Sequence, residues 1–133
     1  MHAFKLASAS ITFFYYDDLN APATSYSNVM RFKLVDDQKW AKIYQINGNA
    51  FLGIVDGKKG FCKVQDKNAV LLTLVVDDVH SRYTYFKDNG INLVGEVQKK
   101  EDIQVHCFFL KDPGGYVLEV QQFLNPEIMR VFG

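Results

Sequence analysis

The chain has 133 residues, of which 48% are hydrophobic and 14% aromatic, and its 15 Lys and Arg residues balance its 15 Asp and Glu residues. This length and composition predict one globular domain rather than a disordered segment. The lack of a basic block argues against a nucleic-acid partner, and apolar runs such as 69–76 are too short to span a membrane. Two cysteines, Cys62 and Cys107, give no disulfide framework and indicate free thiols, which predicts a cytoplasmic protein.

An internal repeat organises the chain. The segments 11–19 and 71–79 are both runs of β-branched, aliphatic and aromatic residues that end in Asp-Asp and one aliphatic residue. A second pair of segments, 32–35 and 91–94, follows in the same order with a one-residue slip. Two matches in order predict a duplicated structural unit.

In the first copy, the run that starts at Ile11 predicts a strand, and Asp18 is the predicted N-cap of the helix that follows. Pro22 fits the first turn of that helix, where its missing N–H group costs little. The apolar stripe of the helix comprises Leu19, Ala23, Tyr26, Val29 and Met30. Strands are then predicted over 32–35, 40–46 and 50–55, with a turn at 47–49 and a linker that ends near 67.

In the second copy, the strand from Leu71 is followed by a helix that Asp78 caps and Gly90 ends. The apolar stripe of this helix comprises Val79, Tyr83 and Phe86. Strands are predicted over 92–97, 103–110 and 117–123, with a turn at 112–115. A cap at Asn125 and a proline at position 126 predict a short terminal helix. The order β-α-β-β-β therefore occurs twice, which a ferredoxin-like sandwich, with two strands in each half, fits less well.

The segment 110–120, Leu-Lys-Asp-Pro-Gly-Gly-Tyr-Val-Leu-Glu-Val, resembles a strand–turn–strand stretch of the glyoxalase/bleomycin-resistance/extradiol-dioxygenase (vicinal oxygen chelate) superfamily. Segments 18–35, 75–79 and 86–91 are similar to other parts of that pattern, so the resemblance covers roughly 11–123. It implies an α+β fold in which two βαβββ modules form paired half-barrels around a cleft. Module one is expected at about 8–58, module two at about 68–124 and a C-terminal helix at 125–132, all within a single domain, 1–133. The resemblance also implies a homodimer, for which Trp40, on a strand that looks like a sheet edge, is a further hint.

In metal-using members of this superfamily, the ligands lie on the first and last strand of each module. The matching positions in this sequence are Ile11, Gly53, Leu71 and Glu119. Only Glu119 can coordinate a metal, whereas a catalytic metal normally needs about three protein ligands. We therefore expect no metal and no other cofactor, with a divalent metal as the alternative. Cys107 would add only a second donor to Glu119.

The alternation of side chains along a strand predicts which residues share a cleft with Glu119. On the strand before the Asp-Pro turn, the resemblance implies that Phe109 and Cys107 face the cleft, so that His106 points away from it, while His80 lies on the second helix and His2 at the terminus. The predicted ligand-binding cleft comprises Phe13, Tyr15, Phe51, Thr73, Cys107, Phe109, Glu119 and Gln121.

Three functions remain open on the sequence. The first is a metal-independent protein that binds a small molecule, in which Glu119 pairs with a cationic aromatic ligand or drug and aromatic rings stack on it. The second is a glyoxalase-like lyase, isomerase or dioxygenase-related enzyme that uses Glu119 as a general base. The third is a structural or regulatory dimer whose cleft is filled by its own side chains, in which Glu119 is merely hydrogen-bonded to Tyr15, Thr73 or water.

Overall fold

Eight β-strands form two four-stranded sheets in the computed structural model, which describes residues 4–133. The first sheet lies in a unit that ends at Lys67, and the second lies in a unit that runs from Asn68 to Gly133. Each unit has the order β-α-β-β-β, which confirms the predicted repeat and the α+β class. That the two units make a single domain stays a prediction.

The first unit has a sheet with the strand order β1-β4-β3-β2, in which β1 and β4 are parallel and the other pairs are antiparallel. Its elements are β1 (Ser10–Tyr16), α1 (Asn20–Thr24), a π-helical turn (Ser25–Val29), β2 (Lys33–Asp37), β3 (Ala41–Asn47) and β4 (Ala50–Asp56). The prediction that Trp40 lies on an edge-like strand is wrong. The residue precedes β3, and β3 has a hydrogen-bonded neighbour on both sides.

The second unit repeats this arrangement with the strand order β5-β8-β7-β6, and here β5 and β8 are the parallel pair. Its elements are β5 (Leu71–Val75), α2 (Val79–Asp88), β6 (Asn92–Lys100), β7 (Val105–Lys111), β8 (Val117–Phe123), α3 (Pro126–Met129) and a 3-10 turn (Arg130–Phe132). No helix in residues 4–133 is long and apolar enough to cross a membrane.

The two parallel strand pairs have the same register. Phe13 lies beside Gly53 in the first unit, as Thr73 lies beside Glu119 in the second. The match that the sequence suggests between Gly53 and Glu119 is therefore also a match of structural position.

The first helix differs from its prediction. Helix α1 begins at Asn20 and is only five residues long. The carboxylate of Asp18 accepts a hydrogen bond from the backbone N–H of Asn20 at 2.9 Å and is not the predicted N-cap of a longer α-helix. After five residues the chain widens into the π-helical turn, in which the Met30 N–H donates to the Ser25 carbonyl at 2.9 Å. Tyr26 lies in this turn, and its side chain is completely buried. A single turn with i→i+5 hydrogen bonds adds about one residue to the turn, and an apolar stripe of five residues is too short to reveal that difference.

Two strand boundaries in the second unit also differ from their predictions. Strand β6 continues to Lys100, three residues past its predicted end. A bulge between Val94 and Gln98 breaks the alternation of side chains, which is why the sequence pattern did not show this extension. Gly95, with a φ of +78°, provides the backbone conformation at this bulge. Strand β7 begins at Val105, since residues 101–104 form a turn.

The predicted caps and turns of the second unit are confirmed. The Asp78 carboxylate accepts the Ser81 N–H at the start of α2 at 3.3 Å. The Asn125 side chain accepts the Glu127 N–H at 2.9 Å at the start of α3. In the 112–115 turn, the buried Asp112 carboxylate accepts from the backbone N–H groups of Gly114 and Tyr116, both at 2.9 Å.

Large side chains fill the space between the helix and the sheet within each unit. The fully buried residues of the first unit are Tyr26, Tyr44, Phe14, Leu52 and Ile54. Those of the second unit are Phe108, Leu110, Leu118, Val79 and Val120, whereas Val105 and Cys107 are fully buried on the opposite face of its sheet. The helix covers one face of each sheet, so chemistry accessible to a ligand is expected on the other face.

Candidate functional site

Helix α2 identifies which face of the second sheet is the core face. The rings of Tyr83 and Phe86 both meet the ring of Phe108 edge-on, and the His80 ring meets the His106 ring with centroids 5.7 Å apart. His106 therefore points toward the helix, as predicted. Residues of the opposite parity point to the other face, where Glu119 lies.

Strand pairing brings the predicted residues of the second unit together on this face. Glu119 on β8 lies between Thr73 on β5 and Phe109 on β7. The neighbouring row places Gln121 beside Cys107. Directly opposed side chains in a sheet are close enough to interact, and these five residues form what we call the Glu119 face.

The carboxylate of Glu119 is held by neutral donors on this face. The Thr73 hydroxyl donates to Oε1 at 2.8 Å, and the Gln121 side-chain amide donates to Oε2 at 3.4 Å. The Cys107 thiol lies close enough to the carboxylate for the negative charge of Glu119 to raise the pKa of the thiol. Within residues 4–133, the ion pairs are Lys42–Asp37, Arg82–Asp77 and Lys99–Glu101, and none involves Glu119. Glu119 is thus a half-buried carboxylate with oriented donors and, among residues 4–133, no ion pair, although the positive charge of Lys100 acts on the neighbouring Cys107 thiol.

Cys107 is fully buried, and its surroundings keep the thiol protonated. Burial raises the pKa of the Cys107 thiol, and the negative charge of Glu119 raises it further. A protonated thiol can donate to a carboxylate, whereas a thiolate beside it would repel it. Its burial and raised pKa therefore argue against a role for this sulfur as a nucleophile.

The carboxylate lies on a surface that is otherwise mostly apolar. Phe109 and Val117 are half-buried, while Leu71 and Val94 are 47% and 42% exposed. Val94 extends the row of Phe109 and Glu119 onto β6, directly next to the bulge. Sequence reasoning missed this contribution of Val94, although a glycine inside a strand, here Gly95, is a usual sign of a bulge.

The position equivalent to Glu119 in the first unit has a different structure. Gly53 has no side chain, and the ring of Phe13 from the neighbouring strand lies where a Cβ atom at Gly53 would be. The Phe13 side chain is nevertheless 41% exposed. Aromatic rings pack in this way over cross-strand glycines in sheets. The first unit therefore presents an aromatic ring where the second presents a carboxylate.

These residues do not fit a metal site of the kind that the resemblance implies. Ile11, Gly53 and Leu71 carry no atom that can coordinate a metal, so Glu119 stands alone. Cys107 would add only one further donor, and two donors are fewer than the three that a catalytic metal normally needs. No group of three or more His, Cys, Asp or Glu side chains suited to a metal occurs in the part of the chain that the structure describes. His2 lies outside the described residues.

The predicted residues of the first unit occupy one face of its own sheet. Phe51 pairs with Ile11 in the row next to Phe13 and Gly53, and Tyr15 pairs with Val55 in the following row. The ring of Tyr15 lies close to Gly60. Participation of Phe13, Tyr15 and Phe51 in ligand binding stays a prediction.

Comparison with solved structures gives close matches in fold at low sequence identity. A lactoylglutathione lyase from Agrobacterium tumefaciens matches with a TM-score of 0.71 and 20% identity, over 89% of this chain and 96% of that one. A glyoxalase/bleomycin resistance protein/dioxygenase from Nocardioides matches with a TM-score of 0.76 and 12% identity, over 93% and 88% of the two chains. The fosfomycin resistance protein FosX from Listeria monocytogenes matches with a TM-score of 0.73 and 13% identity, over 92% and 98%. No protein-family model and no curated protein sequence matches the chain.

The chain thus has the fold of the glyoxalase/bleomycin-resistance/dioxygenase proteins, and the predicted resemblance is confirmed for the fold. Proteins of this fold carry names as different as a lyase and a resistance protein. Function must therefore be argued from the residues of the site.

Proposed function

We propose that this protein binds a small organic cation without a metal, and that the ligand binds on the Glu119 face. The observation that carries the proposal is the state of the Glu119 carboxylate. Two neutral donors orient it, and no cation in residues 4–133 forms an ion pair with it.

A half-buried carboxylate loses part of its hydration, and the neutral donors replace that hydration only in part. The Thr73 hydroxyl and the Gln121 amide fix the direction of the two oxygens but bring no positive charge. A ligand cation would supply the missing Coulomb attraction together with a charge-assisted hydrogen bond. The site therefore favours a cation over a neutral molecule of the same shape.

The apolar surroundings favour a ligand with an aromatic or aliphatic body. Phe109 lies directly across from Glu119, and Val94 and Leu71 leave apolar surface exposed nearby. An aromatic ring beside a carboxylate can contact both the hydrocarbon part and the charge of an organic cation. A fosfomycin resistance protein is among the structural relatives, which supports a small molecule as the ligand. The carboxylate of Glu119 supports a positive charge on that ligand.

Titration of the protein with N,N-dimethylbenzylamine and with benzyl alcohol, followed by NMR chemical shifts, tests the proposal. The two probes share one ring, but only the amine is a cation at neutral pH. We expect the wild type to bind the amine more tightly. Glu119→Gln keeps the size of the side chain and removes its charge, so it should weaken amine binding about tenfold or more.

Glu101→Gln is the matched control, because Glu101 is exposed in a turn and its substitution changes the net charge equally. Binding of the amine should survive in this variant. If the wild type does not bind the amine, or if Glu119→Gln leaves its affinity unchanged, the proposal is wrong. Turnover of a tested compound would favour the enzyme alternative. Failure of every ligand to raise the stability of the folded protein would favour the structural one.

A further inference from the structure

We infer that the cation bound at Glu119 is a planar, delocalised one, an amidinium or guanidinium group, which donates one N–H group to each oxygen of the carboxylate. This inference rests on the proposed function and specifies the chemical class of the cation. Its basis is the placement of the two hydrogen bonds that the Glu119 carboxylate accepts, together with the ring of Phe109 beside it.

The two hydrogen bonds leave both oxygens of Glu119 able to accept a further donor. A carboxylate has about four lone-pair directions, two on each oxygen. The Thr73 hydroxyl donates to Oε1 at 2.8 Å, and the Gln121 amide donates to Oε2 at 3.4 Å. A further direction on each oxygen is therefore open to a ligand. The two parallel N–H groups of an amidinium or guanidinium match this arrangement, because they reach both oxygens of a carboxylate at once.

Both donors are neighbours of Glu119 on the surface of the sheet. Thr73 lies beside Glu119 on β5, and Gln121 follows it two residues along β8, so the three side chains share one face. The directions that remain on the carboxylate point away from these two neighbours. Glu119 is only half-buried, so a ligand can reach it.

The surroundings of Glu119 also favour a planar, delocalised cation over a compact ammonium. A guanidinium is more weakly hydrated than an ammonium, so it loses less hydration energy when it enters a half-buried, mostly apolar site. Its flat face also stacks on aromatic rings. Phe109, which lies directly across from Glu119 on β7 and is half-buried, offers such a ring. A tertiary ammonium, by contrast, has one N–H group and can donate to only one oxygen.

Comparison of three cations of equal charge, each with one phenyl ring, tests this inference. Benzamidine carries N–H groups on both nitrogens, N,N-dimethylbenzamidine carries them on one nitrogen only, and N,N-dimethylbenzylamine has a single N–H group at neutral pH. We expect the wild type to bind benzamidine about tenfold more tightly than either of the others, because only benzamidine can donate from two nitrogens to the two oxygens. Ratios of dissociation constants from NMR or calorimetry measure this preference.

Glu119→Gln shows whether the preference belongs to Glu119. The variant keeps the size of the side chain but has one carbonyl oxygen, so benzamidine should lose its advantage or no longer bind detectably. Glu101→Gln is the matched control and should keep the wild-type preference. Circular dichroism and the thermal midpoint check that both variants fold, and the comparison of the three cations on the wild type does not depend on either variant.

The outcomes separate this inference from the proposed function. If the wild type binds none of the three cations, cation binding at Glu119 itself is wrong. If the wild type binds benzamidine no more tightly than either of the other two, donation to both oxygens is wrong and cation binding stands. A preference for benzamidine that persists in Glu119→Gln also contradicts the inference, because the two N–H groups then bind elsewhere. A preference that Glu119→Gln abolishes and Glu101→Gln preserves supports it.

Discussion

Cys62 and Cys107 have the same side chain in opposite surroundings. Cys62 is exposed, whereas Cys107 is fully buried beneath the Glu119 face. Burial and the adjacent carboxylate raise the pKa of Cys107 above its ordinary value of 9.0. The free energy of unfolding therefore depends on the protonation of this thiol. The contribution is fully present below the pKa of Cys107 in the unfolded chain and is lost as the pH rises through its pKa in the folded protein.

Alkylation with iodoacetamide at pH 8 should distinguish the two thiols. We expect Cys107 in the folded protein to react at least roughly a hundredfold more slowly than in the denatured chain, because reaction requires local opening and a thiolate. Cys62 should react readily in both states. Mass spectrometry of peptides after timed quenching gives both rates. Equal rates for Cys107 in the folded and denatured chain would contradict its described burial.

Glu119 illustrates what can and cannot be predicted from the sequence about a single residue. Its position on β8 and its pairing with Thr73 follow from strand alternation and from the match between the two copies. The two hydrogen bonds that its carboxylate accepts depend on side-chain rotamers on β5 and β8, which no linear pattern encodes. The position of Glu119 beside Thr73 could therefore be predicted from the sequence, whereas the hydrogen bonds of its carboxylate could not.

Among the secondary-structure elements, those with local signals were the predictable ones. Asp78, Asn125 and the Asp112 turn act within a few residues of their partners, so their hydrogen bonds follow from spacing alone. The π-helical turn and the β6 bulge depend on packing against other strands. Tyr83 illustrates this, because its hydroxyl on α2 donates to the Gly95 carbonyl within the bulge at 3.1 Å.

The contact between β1 and β4 gives a prediction about stability. Gly53→Ala places a methyl group where the Phe13 ring lies, so the ring must move or the strands must shift. We expect the free energy of unfolding to fall by about 1–3 kcal/mol, as for other overpacked sites. Urea denaturation followed by circular dichroism measures the change.

A double-mutant cycle provides the control for this prediction. In a Phe13→Ala background the ring is absent, so Gly53→Ala should cost much less than in the wild type. An equal cost in both backgrounds would show that the loss arises from the backbone at position 53 and not from the ring.

At the scale of the whole molecule, two units of the same topology have diverged in their chemistry. Equivalent positions hold Gly53 under an aromatic ring in one unit and Glu119 among neutral donors in the other. The repeat was visible in the sequence because strand and cap patterns are local, and it predicted the fold of each unit. The homodimer and the cytoplasmic location that the sequence suggested stay predictions.

The scarcity of side chains that could bind a metal gives a prediction about the metal content of the protein. With Ile11, Gly53 and Leu71 at three of the four expected ligand positions, protein purified without chelator should hold far less than one equivalent of metal. Elemental analysis measures this directly. A thermal-shift titration with zinc, nickel, manganese and iron(II) should show no saturable stabilisation. Stoichiometric metal, or a stabilisation that Glu119→Ala abolishes, would contradict the metal-free proposal.

The Phe13 ring over Gly53 also limits the order in which the two halves of the repeat can change. If a carboxylate arises at position 53 while Phe13 is still present, its side chain clashes with the Phe13 ring. If the ring is lost before that change, the backbone of Gly53 is left uncovered. Either single step is therefore unfavourable on its own, although the two together need not be. A carboxylate at position 53 is thus expected to need a simultaneous change at position 13, because either change alone gives a less stable chain.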